Sequence, residues 1–189
     1  MFAAEKGIAL EYRRVDIVAG ENRRPEFLAK NPAGTTPLLE LTDGSCIGET
    51  IAICEYLEEV SNAPTLLGAS PADRARARMW IRRIDLNFCV PLVTAFRGSE
   101  GRAMFEPRMR VVSEAAAREL KTLAADYLAQ MDVRLTQSTH VAGEHFTLAD
   151  IVLFCFVEFG ARVGQSMPPE MTALQRWRDA VRARPSAAS

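Results

Sequence analysis

Apolar and polar positions alternate along this chain with two different periods, and the change from one to the other divides it. The first residues, MFAAEKGIALEY, are helix formers as far as Lys6, followed by a glycine suited to a left-handed closing residue. Lys6 sits where a cation complements the helix C-terminus, and Ile8 where a Schellman motif places its apolar contact. From Ala9 to Ile17 the apolar positions Leu10, Tyr12, Val15 and Ile17 predict a strand, although the alternation slips at Arg13-Arg14. RPEFLAK, residues 24–30, predicts a short helix with Pro25 in its first turn. NPAGTTPLLEL is a Pro/Gly turn feeding a strand from Pro37 to Leu41. Asp43-Gly44 in TDGS suits a hairpin turn with Cys46-Ile47 returning. ETIAICEYLEEV, from Glu49 to Val60, is an amphipathic helix.

Residues 61–70, SNAPTLLGAS, break the pattern. No further strand is predicted beyond them. Ser70 as N-cap, Pro71 at N1 and Asp73 at N3 open a long helix running to about Phe96, bent near Pro91. Further helices are expected over about 111–137, 148–163 and 171–184. In GEHFTLADIVLF, Thr147 is a fit N-cap and Asp150 at N3 can reach back to it, a capping box with Asp in place of Glu. The residues after it are apolar nearly all round, which predicts a buried helix oriented by Thr147 and Asp150. The organisation is an α/β domain over 1–61, a linker over 62–70 and an all-helical domain over 71–189.

Composition narrows the function. With 189 residues, 48% apolar, 25% charged and a net charge of −1, the chain is an ordinary globular one. It carries no basic footprint for nucleic acid or anionic membrane. No apolar run approaches the roughly 20 residues that span a bilayer, and the start lacks a signal-peptide pattern, so the expected location is cytoplasmic. Cysteines 46, 54, 89 and 155 form no CxxC. Cys54 and Cys155 lie in apolar helical patterns and read as small buried hydrophobes. His140 and His145 flank Glu144 without metal-ligand spacing, so no metal is expected.

Two stretches could hold a ligand. If the Thr36-Pro37 peptide is cis, the N–H and C=O of Thr36 face outward and can pair with an extended peptide. Locally a trans bond is the commoner state, cis being about 5–6% of X–Pro bonds. Gly48-Glu49-Thr50 sits where a strand hands over to a helix, whose free N–H groups suit a carboxylate. Thr50 adds a hydroxyl, and Glu49 a charge for an ammonium. Together they fit an α-amino acid head group, although Glu49 could equally serve the helix dipole alone and Thr50 the cap.

Taken in order, NPAGTTPLL, GETIAICEYLEE, the linker and GEHFTLADIVLF resemble the cytosolic glutathione transferases of bacterial type, and AEKGIALEY is similar to the end of that family's first helix. The resemblance implies a thioredoxin-like α/β domain followed by an all-α domain, in a homodimer. It implies that Thr36 and Pro37 pair with the cysteinyl backbone of glutathione, and that Glu49 and Thr50 hold its γ-glutamyl end. The implied reaction is attack of the glutathione thiolate on a small electrophile, as in detoxification. Trp80, Phe88 and Phe96 would be candidates for the co-substrate pocket, although aromatics at helical spacing more often build core.

The chain departs from the family at two points. Thr35 stands where many members carry Lys or Gln. The family's first strand and the loop with its Ser, Tyr or Cys, about 15–20 residues, have no counterpart before Met1. The expectation is an incomplete domain whose catalytic residue is unknown, reached through truncation or a misplaced start, with strands short of ladder partners. Other readings remain open: a glutathione-dependent dehalogenase, isomerase, peroxidase or disulfide reductase; a non-catalytic binding or assembly module; or a helical interaction domain with an unrelated α/β appendage.

Overall fold

The computed structural model describes residues 1–188. Two compact units result, Phe2–Pro64 and a second from Thr65 onward.

The first unit begins with α1 (Phe2–Glu5), a 3-10 turn (Glu21–Arg23) and α2 (Pro25–Lys30). Strands β1 (Leu38–Glu40) and β2 (Cys46–Gly48) and helix α3 (Thr50–Val60) follow. Gly7 takes φ 64°, its N–H donates to Ala4 O at 3.1 Å and that of Ile8 to Ala3 O at 2.8 Å. These are the two bonds of a Schellman motif, so Gly7 closes α1 as its sequence position demands. Lys6 does more than complement a dipole. Its Nζ pairs with Glu58 at 2.9 Å and donates to Ala63 O and Pro64 O at 3.2 and 3.0 Å. A four-residue helix that could not persist alone is thereby pinned to α3 and the segment behind it.

The sheet holds two antiparallel strands, paired Leu38 to Gly48, Leu39 to Ile47 and Glu40 to Cys46. In the turn, Gly44 has φ 83°, and Asp43 Oδ1 accepts from the Ser45 N–H at 2.9 Å and its hydroxyl at 2.6 Å. The strand expected over residues 9–17 does not form: Ala9–Asp16 have no regular secondary structure and Ile17 begins a turn. Tyr12 is 82% exposed and Val18 70%. A strand exists through its ladder, and no strand among the described residues pairs with this segment; the double arginine also denies it a buried face.

The second unit is helical: α4 (Pro71–Ile84), α5 (Val90–Gly98), α6 (Arg102–Phe105), α7 (Glu114–Thr136), α8 (Leu148–Arg162) and α9 (Thr172–Arg182), with a 3-10 turn after it. Ser70 and Asp73 form the expected capping box at the head of α4. The expected long helix forms without a break as α4 and α5, and the disturbance ahead of Pro91 is a π-helical turn over Asp85–Cys89. Pro91 has no N–H for Asn87 O, and the chain widens just before it, so that the Val90 N–H reaches back five residues to Asp85 O. Asn87 Nδ2 donates to Arg83 O at 2.7 Å, occupying a carbonyl within the disturbed turn.

The core gathers Ile84, Phe88, Leu92, Leu128, Leu135, Val141, Leu148, Leu153 and Leu174, all essentially buried. Nine α8 residues are buried, as its apolar sequence requires. Cys54 is buried, but Cys155 is exposed on the outer side of α8, against the expectation for it. A helix apolar nearly all round still turns some positions outward when its core contacts are confined to the rest of its circumference. The stretch expected as linker is not all free: Leu66 and Leu67 are buried, and Leu66 O accepts from the Leu148 N–H at 2.8 Å. No helix among the described residues is long and apolar enough to cross a membrane.

Candidate functional site

The hairpin register builds the site. Because Leu38 pairs with Gly48, the residues just before β1 and just after β2 emerge side by side at one end of the sheet. Those residues are Thr36-Pro37 and Glu49-Thr50, all four exposed. The Thr36-Pro37 peptide is cis. The backbone N–H and C=O of Thr36 have no partner among the described residues, which leaves a donor and an acceptor exposed for an extended ligand.

Across the register, Glu49 adopts φ 66° and ψ 120°, and among the described residues it alone of the non-glycines has positive φ. Such a backbone is costly for a side-chain-bearing residue and recurs at functional sites. Its side chain makes no cap and no ion pair or hydrogen bond with the described residues, so the carboxylate is available. Thr50 is the first residue of α3, where backbone N–H groups lack intrahelical acceptors. The end of the hairpin thus brings together a free carboxylate, a hydroxyl, a helix N-terminus and a free peptide unit. The arrangement suits a zwitterionic amino-acid head group joined to an extended peptide.

Sequence reasoning missed the side chains that shape the loop ahead of the cis bond. Asn31, nearly buried, donates through Nδ2 to Thr35 O at 2.8 Å and to its hydroxyl at 3.2 Å, and accepts from the Ala33 N–H at 3.2 Å. Asn22 Nδ2 donates to Gly34 O at 2.6 Å. Gly34 has φ 61°, and a Cβ there would meet Asn22 O at 3.0 Å. The signal for Asn31 was present in Asn-Pro-Ala-Gly, since asparagine bonds its own backbone two residues on; that for Asn22 was not, because its partner is twelve residues away.

Thr147 and Asp150 belong to a different kind of site. Asp150 is wholly buried at the head of α8. Its Oδ2 accepts from the Thr147 N–H at 2.9 Å and hydroxyl at 3.1 Å; Oδ1 accepts from the Val141 N–H and from Trp177 Nε1, both at 2.9 Å. Burial pushes the carboxyl above its ordinary range, while the hydrogen bonds from Val141, Trp177 and Thr147 work the other way. Among the pocket candidates, Phe88 is wholly buried core. Phe96 packs edge-on against Phe105 and Phe159, at 5.9 and 5.5 Å between ring centroids. Trp80 is half-buried. Among the described residues no group of three or more His, Cys, Asp or Glu could hold a metal ion.

Comparison with known proteins agrees with this architecture. The family models described as glutathione S-transferase N-terminal and C-terminal domains match residues 1–60 and 89–185. Glutathione S-transferase 2 of Saccharomyces cerevisiae is 33% identical over 185 residues, covering 97% of this chain and 79% of that protein. Elongation factor 1-gamma of Prunus avium is 34% identical over 139 residues, 74% of this chain but 31% of that protein. The crystal structure of a glutathione S-transferase domain-containing protein of Marinobacter aquaeolei superposes with a TM-score of 0.92 at 33% identity, covering 98% of this chain and 91% of that one. A thioredoxin-like unit with a small sheet, followed by an all-helical unit, is the fold these proteins share, and the chain belongs to the glutathione S-transferase family.

Proposed function

We propose that the chain binds glutathione at the end of its β-hairpin and serves its conjugation to small electrophiles. The observation that carries this reading is the pairing of Leu38 with Gly48, which sets the cis Thr36-Pro37 peptide beside Glu49-Thr50. Glutathione is an extended tripeptide whose γ-glutamyl end carries a carboxylate and an ammonium on one carbon. The Thr36 N–H and C=O pair with its cysteinyl backbone. The Thr50 hydroxyl and the first N–H groups of α3 take the γ-glutamyl carboxylate, and Glu49 takes the ammonium. Four weak anchors on a pre-shaped loop fix the tripeptide's direction and hence the position of its sulfur. Conjugation then needs the thiol, with an ordinary pKa of about 8.5, held as thiolate against an electrophilic carbon. The thiolate-stabilising residue is not among these four. A cytoplasmic homodimer acting in detoxification completes this reading.

A second reading, a glutathione-binding or assembly module without turnover, is favoured by the similarity to elongation factor 1-gamma. One experiment separates them: retention on immobilised glutathione together with turnover of an activated aryl halide. Retention with turnover supports the transferase, and retention alone supports the module. Failure of retention would overturn both.

A further inference from the structure

One side chain links the two arms of the hairpin-end site and has no hydrogen bond to spare for a ligand. Asn31 caps the C-terminus of α2 and is buried. Its N–H donates to Phe27 O at 2.9 Å, and its C=O accepts from the Gly34 N–H at 2.9 Å. Oδ1 accepts from the Ala33 N–H at 3.2 Å, while Nδ2 donates to Thr35 O at 2.8 Å and to the Thr35 hydroxyl at 3.2 Å. An amide NH2 has two hydrogens, and both are taken. Whatever Asn31 does for the site it does through Thr35, the residue immediately before Thr36.

The same amide lies against the other arm. A Cβ placed on Gly48 would find its three nearest heavy atoms in that group, Nδ2 at 3.7 Å and Cγ and Oδ1 at 3.9 Å. Nearly equal distances mean that the amide presents its face to Gly48, in van der Waals contact. Gly48 immediately precedes Glu49, and it pairs with Leu38, the residue after Pro37. Asn31 therefore holds the residue before each arm, one by hydrogen bonds and the other by packing. Supporting side chains of this kind decide whether a site keeps its geometry. Asn22 offers a contrast. It holds the same loop at Gly34, through Nδ2 to Gly34 O at 2.6 Å, and supplies none of the atoms nearest Gly48.

We propose that Asn31 is a positioning residue for glutathione, fixing the Thr36 peptide unit and the Glu49 carboxylate relative to each other through Thr35 and Gly48. The inference rests on the glutathione reading of the hairpin end. Aspartate at this position would keep the shape and the acceptor for Ala33. It would also set a carboxylate oxygen against Thr35 O, where the amide now donates, and so drive the side chain away from both arms.

Two measurements on the full chain test this. The first needs no glutathione: in ligand-free N31D, backbone amide order parameters from NMR relaxation fall at both Thr36 and Glu49. A fall at Thr36 alone, or at neither, overturns the proposal. The second is calorimetric titration with glutathione at a temperature where circular dichroism shows every variant folded. N31D binds roughly tenfold or more weakly than the parent. Beside Glu49→Ala the same change costs about threefold or less, because one of the two arms it positions is already gone. Asn22→Ala, which loosens the loop at Gly34, costs the same factor with or without Glu49→Ala. If N31D does not fold, N31S, which retains one donor, carries both measurements. Equal factors for N31D in the two backgrounds overturn the proposal, as does unchanged affinity with a lowered melting temperature; either result assigns Asn31 to stability alone. A parent that binds no glutathione, while N31D still loosens both arms, overturns the glutathione reading and leaves a purely structural coupling.

Discussion

Asp150→Ala tests how the helical unit is held together. An N-cap interaction alone, lost to alanine, costs about 0.5–2 kcal/mol. The Asp150 carboxylate does more than cap: it accepts from Val141 in the loop before α8, from Thr147 at its head, and from Trp177 on α9. Alanine would leave three buried N–H donors and a hydroxyl without acceptors. At about 1–3 kcal/mol for each unsatisfied N–H, the simple total is roughly 3–9 kcal/mol. Water entering the vacated space and relaxation of the loop remove part of it, so the expected loss is about 3–6 kcal/mol.

Both tryptophans, Trp80 and Trp177, lie in the helical unit, so urea unfolding followed by their fluorescence reports on it, with far-ultraviolet circular dichroism as a check. Asp150→Asn should be nearly as harmful, since its NH2 group would face two of the same donors. A loss below about 2 kcal/mol at unchanged m-value would reduce Asp150 to an ordinary cap. Altered glutathione affinity at unchanged stability would refute its structural role altogether.

Three further outcomes are expected. Glu49→Ala and Thr50→Ala should each weaken glutathione binding by roughly 10–100-fold, the worth of one charge-assisted hydrogen bond, with melting temperature little changed; unaltered affinity in calorimetry would remove them from the site. Lys6→Ala should destabilise the first unit by about 1–3 kcal/mol, because it removes the Lys6–Glu58 ion pair and a donor from two carbonyls. Hydrogen exchange at α1 and α3 amides would report it, and unchanged protection would count against the pin. Asp73 is held below the ordinary carboxylate range first by the Ser70 hydroxyl and then by the Ser70 N–H. A depressed folded-state pKa adds stability that is complete above the unfolded value of about 3.9 and is lost as pH falls through the folded one. Ser70→Ala should therefore be less stable than the parent at neutral pH, with a gap that narrows on acidification below about pH 4. A gap that stays constant or widens would refute the linkage.

The features legible in the sequence are those whose partners lie within a few residues. Gly7 closing α1, Asp43-Gly44 turning the hairpin, and the Ser70–Asp73 and Thr147–Asp150 boxes each depend on contacts within five residues. The same residues carry distant work that no local pattern announces: Lys6 reaches 57 and 58 residues along the chain, and Asp150 reaches 27 to Trp177. Residues 9–17 mark the opposite failure. Their alternation was real, but a strand is decided by a neighbour, and local pattern carries no information about whether one is present. Pro91 lies between these cases, since its missing N–H announced a disturbance but not the π turn that places Asn87 beneath Arg83 O. The candidate glutathione site was read through resemblance, because locally Thr36-Pro37 favoured trans and Glu49 suited the dipole; the register of a three-residue ladder is what brings the two together.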